Sequence, residues 1–241
     1  MPNIAINADC LQAMREYPDN YFDLAVCDPP YGGGDYKGAI AGRFGGHFEK
    51  YNLSGEDEPR RGGDSDSNPE IAAERDGRGW AKKYGYDIRT WDVAPPPEYF
   101  TELARISKNQ VIWGGNYFDL PPTRCFLIWR KLTISENFTM AMCEYAWTSF
   151  NDNAKLFEYP PQDQARFHPT QKPVALYAWI YRLYTKPGDK IIDTHLGSGS
   201  SRIAAYDAGL DFTGYEISKF YFDLQEERYN KHTAQINLFL D

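Results

Sequence analysis

The chain has 241 residues, 42% of them apolar and 25% charged, which is enough to bury a core in one large domain. A net charge of -8 argues against a surface coated by nucleic acid, though not against a local basic groove. The four cysteines form no C-x-x-C pair and the four histidines are dispersed, which points to reduced core thiols in a cytosolic protein and away from a zinc site. No stretch has the length of a membrane helix and no secretory signal opens the chain, so no membrane role is expected.

In chain order, "NIAIN" reads as a short strand, and "CLQAMREY" as a helix with Asp9 at its N-cap. "YFDLAVC" is a continuous apolar run of strand length. Residues from about 32 to 92 are rich in glycine and in charges of both signs, and show no apolar periodicity. They read as an insertion in a single domain, either a target-recognition segment or a disordered loop. Its Arg43, Arg60, Arg61, Arg78, Lys82 and Lys83 suit phosphates, and Trp80 and Tyr84 suit stacking.

Regular structure then returns. "PPEYFTELARIS" reads as a helix, and "QVIWGG", "CFLIWRK" and "CEYAWTSF" as strands. "PVALYAWIYRLYT" is a helix with proline at its first turn. "KIIDTHLGSGSS" is a strand entering a glycine turn, followed by the helix "SRIAAYDAG", the strand "DFTGYEIS" and a last helix "KFYFDLQEERYNKH". Alternating strands and helices imply an α/β protein: a mostly parallel, Rossmann-like sheet with helices on both faces.

Two loops carry candidate chemistry. In "DTHLGSGS", Gly197 and Gly199 let a ligand approach the backbone, and the following helix offers free N–H groups. Asp193, Ser198 and Ser200 flank this turn. Glu216 follows at about the 20-residue offset at which an acid meets ribose hydroxyls in nucleotide folds. Together these suggest a ligand with an adenosine part, although Arg202 stands where the full dinucleotide fingerprint needs its last glycine. In "CDPPYGG", an apolar strand stops at Asp28, and Pro29, Pro30 and Tyr31 form a rigid elbow. A carboxylate and a proline-locked carbonyl can hold the two N–H bonds of an exocyclic amine, while a tyrosine stacks on the ring.

"DPPY" resembles the catalytic motif of the S-adenosylmethionine-dependent DNA amino-methyltransferases. The resemblance implies that Asp28 and the Pro29 carbonyl hold the target amine, Pro30 stiffens the elbow and Tyr31 stacks on a flipped base. The elbow precedes the glycine turn, which is similar to the circularly permuted order of the β-class. "FHPTQKP" looks like the segment that holds the methionine end of the cofactor, with Lys172 as candidate for its carboxylate. "NADCL" looks like the motif that meets the cofactor's adenine through Asp9 and the backbone of Cys10. His195 stands where many relatives have phenylalanine, which implies a place lining the cofactor site. An acid at the first motif position implies adenine N6 as target and double-stranded DNA as partner. A cytosine-N4 enzyme is the nearest alternative, and a catalytically silent nucleic-acid-binding module the second. The resemblance also implies a bacterial or phage-infected host cytoplasm, and leaves a homodimer and a restriction endonuclease partner open.

Overall fold

The computed structural model describes residues 1–32, 93–136, 141–161 and 165–237. Contacts divide the chain into two units, Met1–Pro29 with Pro95–Asp241, and Pro30–Ala94. Within the second unit the two described ends meet. A Cβ on Gly32, whose φ is +73°, would lie 3.1 Å from both Cβ and N of Ala94. The basic and aromatic candidates between Arg43 and Tyr84 lie outside the described residues.

The first unit holds an eight-stranded sheet. Its strands are β1 (Asn3–Ile6), β2 (Leu24–Cys27), β3 (Gln110–Trp113), β4 (Phe126–Arg130), β5 (Cys143–Thr148), β6 (Lys155–Glu158), β7 (Lys190–Asp193) and β8 (Asp211–Tyr215). Among the described residues five α-helices accompany them: α1 (Cys10–Met14), α2 (Pro97–Ile106), α3 (Val174–Tyr184), α4 (Ser200–Asp207) and α5 (Lys219–Asn237). The spatial order is β1-β8-β7-β2-β3-β5-β4-β6. All neighbours pair in parallel except at β5, which runs antiparallel to β3 and to β4.

Strand β2, Leu-Ala-Val-Cys, is buried throughout, as expected of a strand covered on both faces. Its side chains alternate between two cores. Leu24 and Val26 join Leu176, Tyr177, Ile180 and Tyr181 of α3 and Ala204 and Ala205 of α4. Ala25 and Cys27 join Met14 of α1 and Tyr99, Leu103 and Ile106 of α2. Helices thus cover both faces of the sheet, as the alternating elements imply. Two details depart from the sequence reading. Helix α1 stops at Met14 rather than running on through "REY", because Pro18 lies just beyond and disfavours helix in the residue before it. Residues 155–158 form an edge strand that no long apolar run announces. Lys155, Leu156, Phe157 and Glu158 alternate in burial beside β4.

Candidate functional site

The chain leaves β7 through α4 toward β8 on one side, and leaves β2 toward β3 on the other. The two strands are neighbours, with Leu24 opposite Ile191 and Ala25 opposite Ile192. Their carboxyl ends therefore flank the point where the winding reverses, which is where open α/β sheets leave a crevice for ligands. Asp28 and Pro29 stand directly after β2, and the 193–200 turn directly after β7. Asp28 with Pro29 and the glycine turn, far apart in sequence, thus follow neighbouring strands.

The turn is tightly built. Gly197 (φ +52°) and Gly199 (φ +73°) take left-handed conformations that cost a residue with a Cβ on the order of 1–2 kcal/mol. A Cβ on Gly197 would stand 3.4 Å from the His168 ring. Glu216 closes the turn from the neighbouring strand: its Oε2 accepts the Gly197 N–H at 2.9 Å and its Oε1 accepts the Ser218 N–H at 2.8 Å. Asp193 accepts from the Ser201 hydroxyl and, at 3.0 Å, from the His195 N–H. Burial, aided by the nearby negative charges of Asp28 and Glu216, pushes the Asp193 carboxyl up to about 7 against those two donors. Burial likewise raises Glu216 above its usual range. Three carboxyl groups gathered around glycine-exposed backbone fit a cationic ligand with hydroxyls better than an anionic one.

Lys172, in the loop before α3, is 3% exposed at its side chain. Its ammonium donates to Asp28 Oδ2 and stands 3.0 Å from Glu144 Oε2. Lys131 lies 2.7 Å from the other oxygen of Glu144. Burial opposes charge on Glu144, but Lys172 and Lys131 outweigh it and pull the carboxyl down to about 2. Burial also opposes charge on Lys172, yet Asp28 and Glu144 hold its ammonium above the usual lysine range. Lys172 is therefore engaged with the elbow acid.

The remaining sequence candidates divide. Asp9 caps its own helix: one oxygen accepts the Leu11 N–H at 2.8 Å and the Gln12 N–H at 3.4 Å. The Cys10 thiol is pushed up to about 12 by burial and is no nucleophile at neutral pH. Ser198 and Ser200 bring their hydroxyls within 3.1 Å, and Arg228 of α5 donates to the Ser200 hydroxyl at 2.8 Å and the Ser198 carbonyl at 2.9 Å. These serines thus tie the turn to α5. His195 is turned toward α2, edge-on to Tyr99 at 5.4 Å, and burial lowers it to about 4, so it is neutral. Thr194, beside it, lies 2.5 Å from the Tyr99 hydroxyl. Pro30 and Tyr31 belong to the second unit. Among the described residues no group of three or more His, Cys, Asp or Glu is arranged to hold a metal, and no helix is long and apolar enough to cross a membrane. Sequence reading missed Ser201, Glu144 and Lys131. Ser201 could have been suspected as the first-turn hydroxyl after the glycines, but nothing in "MCEYAW" marks Glu144.

Residues 108–227, about half of the chain, match the family described as DNA methylase, of the N6 and N4 type. Among curated proteins, Type II methyltransferase M2.LlaDCHI of Lactococcus lactis subsp. cremoris is 38% identical over 64 residues, 27% of this chain and 24% of that protein. Type II methyltransferase M2.MboI of Moraxella bovis is 26% identical over 148 residues, 61% of this chain and 50% of that protein. These matches thus span half or less of the length of those curated relatives. Among solved structures, the M1.HpyAVI–SAM complex aligns with a TM-score of 0.53 at 17% identity, covering 94% of this chain and 98% of its own. PvuII DNA methyltransferase, described as cytosine-N4-specific, aligns with a TM-score of 0.57 at 12% identity, covering 98% and 92%. The architecture is that of the α/β methyltransferases.

Proposed function

We propose that this chain, which belongs to the N6 and N4 DNA-methylase family matched by its residues 108–227, transfers a methyl group from S-adenosylmethionine to an exocyclic amine of a DNA base, adenine N6 foremost. The observation that carries this reading is the adjacency of Asp28 and the 193–200 turn at the switch point between β2 and β7. The residues there suit such a cofactor. Glu216 stands beside the glycine turn at the offset that suits ribose hydroxyls, the left-handed glycines open the backbone, and the carboxyl groups of Asp28, Asp193 and Glu216 are gathered there. Bound there, S-adenosylmethionine supplies an activated methyl on a positively charged sulfur.

The chain's own part is to hold and orient. A base inside a duplex is out of reach, so the target is received flipped out or unpaired. Asp28 and the Pro29 carbonyl accept the two N–H bonds of the amine and aim its lone pair at the methyl carbon. The motif resemblance assigns the stacking role to Tyr31. A carbon–nitrogen bond forms as the carbon–sulfur bond breaks, and the charge passes from sulfur to nitrogen, beside the Asp28 carboxylate. The alkylated amine then gives up its extra proton to water, which leaves a neutral methylamino group. Positioning supplies most of the acceleration, because the donor is already activated. The permuted, β-class motif order and the insertion within one domain belong to this proposal, as do DNA as partner and a bacterial cytoplasmic setting.

Aspartate at the head of the elbow favours adenine; the fold shared with a cytosine-N4 enzyme favours the second reading. Incubating the protein with labelled cofactor and unmodified DNA, then digesting to nucleosides, separates the two. N6-methyl-2′-deoxyadenosine is the expected product. N4-methylcytosine would replace the target base and keep the chemistry, and a protein that binds cofactor and DNA yet labels neither base would overturn the reading.

A further inference from the structure

We propose that Glu144 is a positioning residue for methyl transfer, acting on Asp28 through Lys172. This rests on the reading of Asp28 as the acid that holds the amine. Four charged side chains stand in series, Asp28, Lys172, Glu144 and Lys131, each from a different segment. Asp28 follows β2, Lys172 precedes α3, Glu144 is the second residue of β5 and Lys131 follows β4. They meet because β5 is antiparallel. Its amino end lies at the carboxyl edge of β2 and β3, with Ala146 opposite Trp113 and Glu144 beyond it.

A lysine placed directly on the catalytic acid raises an electrostatic problem. It fixes the carboxylate, but with Lys131 behind it two cations would outweigh that one acid and reverse the field presented to the amine. In the transfer, positive charge moves onto the amine nitrogen, so a negative field lowers the barrier. Glu144, 3.0 Å from the same ammonium, restores the balance. With it, no excess positive charge stands behind the amine site while Lys172 still anchors Asp28. Lys131, 2.7 Å from Glu144 and 7% exposed, then brings the series to zero, as a buried cluster requires. The Lys172 ammonium also stands 5.4 Å from the centre of the buried Trp113 ring, which limits its freedom to swing away.

Neutralising Glu144 leaves two cations against one acid, whereas neutralising Glu144 and Lys131 together restores a charge of zero. The experiment compares single-turnover methyl transfer by the full-length protein, Glu144→Gln, and the double variant Lys131→Met/Glu144→Gln. Cofactor and DNA are saturating, and competent sites are counted by cofactor binding. The expected result is a rate loss of about tenfold or more in Glu144→Gln, with cofactor affinity within about twofold of the parent, and recovery to within about threefold in the double variant. A Glu144→Gln rate equal to the parent's, or a double variant as slow as the single one, would overturn the inference. If Glu144→Gln does not fold, the double variant decides alone: a loss of about tenfold or more counts against the charge balance. A parent protein that methylates no DNA would fail the reading of function itself, which keeps the two failures apart.

Discussion

Replacing Lys172 by methionine tests the site at its centre. The side chain is 3% exposed and compensates two acids, Asp28 and Glu144, which lie in the same buried cluster. Removing one partner of a buried ion pair costs about 3–5 kcal/mol, because the remaining charge is left in a poor medium. Here Glu144 keeps Lys131 at 2.7 Å, so the lower end, about 3 kcal/mol, applies. At about 2–4 °C per kcal/mol for a chain of this size, the melting temperature should fall by about 6–12 °C. Methyl transfer should fall steeply, because Asp28 loses the cation that orients it, while cofactor affinity should change little. Thermal unfolding followed by circular dichroism, calorimetric cofactor titration and a labelled-methyl assay read the three quantities. An unchanged melting temperature with a large loss of cofactor affinity would refute the reasoning, and would return Lys172 to the role of a cofactor-carboxylate ligand.

Asp28→Ala should reduce transfer by about 100-fold or more, the cost of removing one donor or acceptor aimed at developing charge, while cofactor still binds; transfer at the parent rate would remove Asp28 from the chemistry. Asp193, raised to about 7, is protonated below that pH and ionised above it. Since a cationic cofactor prefers the ionised form, its affinity should rise between about pH 6 and about pH 8, by at most about tenfold per unit. The neutral thioether product should show a weaker trend. His168 and His195, lowered by burial to about 3 and about 4, are already neutral across that range and do not contribute. The same carboxyl favours the folded state in its protonated form, so its contribution to stability declines as pH rises from the ordinary aspartate range toward about 7. Gly199→Ala places a Cβ at φ +73° and 3.1 Å from the Gln225 Cβ, and should destabilise the protein by about 1–3 kcal/mol in chemical unfolding; an unchanged midpoint would mean that the turn can rearrange.

The apolar runs of β2, β3, β7 and β8, the proline elbow and the glycine turn were legible in the sequence, because burial on both faces and special backbone geometry each demand particular residue types at consecutive positions. Asp28, Gly197, Gly199 and Glu216 could be singled out for the same reason: each belongs to a short local pattern. What a side chain finally touches is not local. Asp9 looked equally fit to meet a ligand or to cap a helix, and the fold uses it as the cap. Lys172 looked fit for a carboxylate, and the carboxylates it meets are Asp28 and Glu144 of its own chain. Strand direction decided the latter. An apolar stretch records that it is buried but not which way it runs, and only the antiparallel course of β5 carries Glu144 to the carboxyl edge. The sequence by itself determined the chemistry available at each loop. The tertiary structure decided which loops share an edge, because pairing partners and direction arise from packing between segments that no local pattern records.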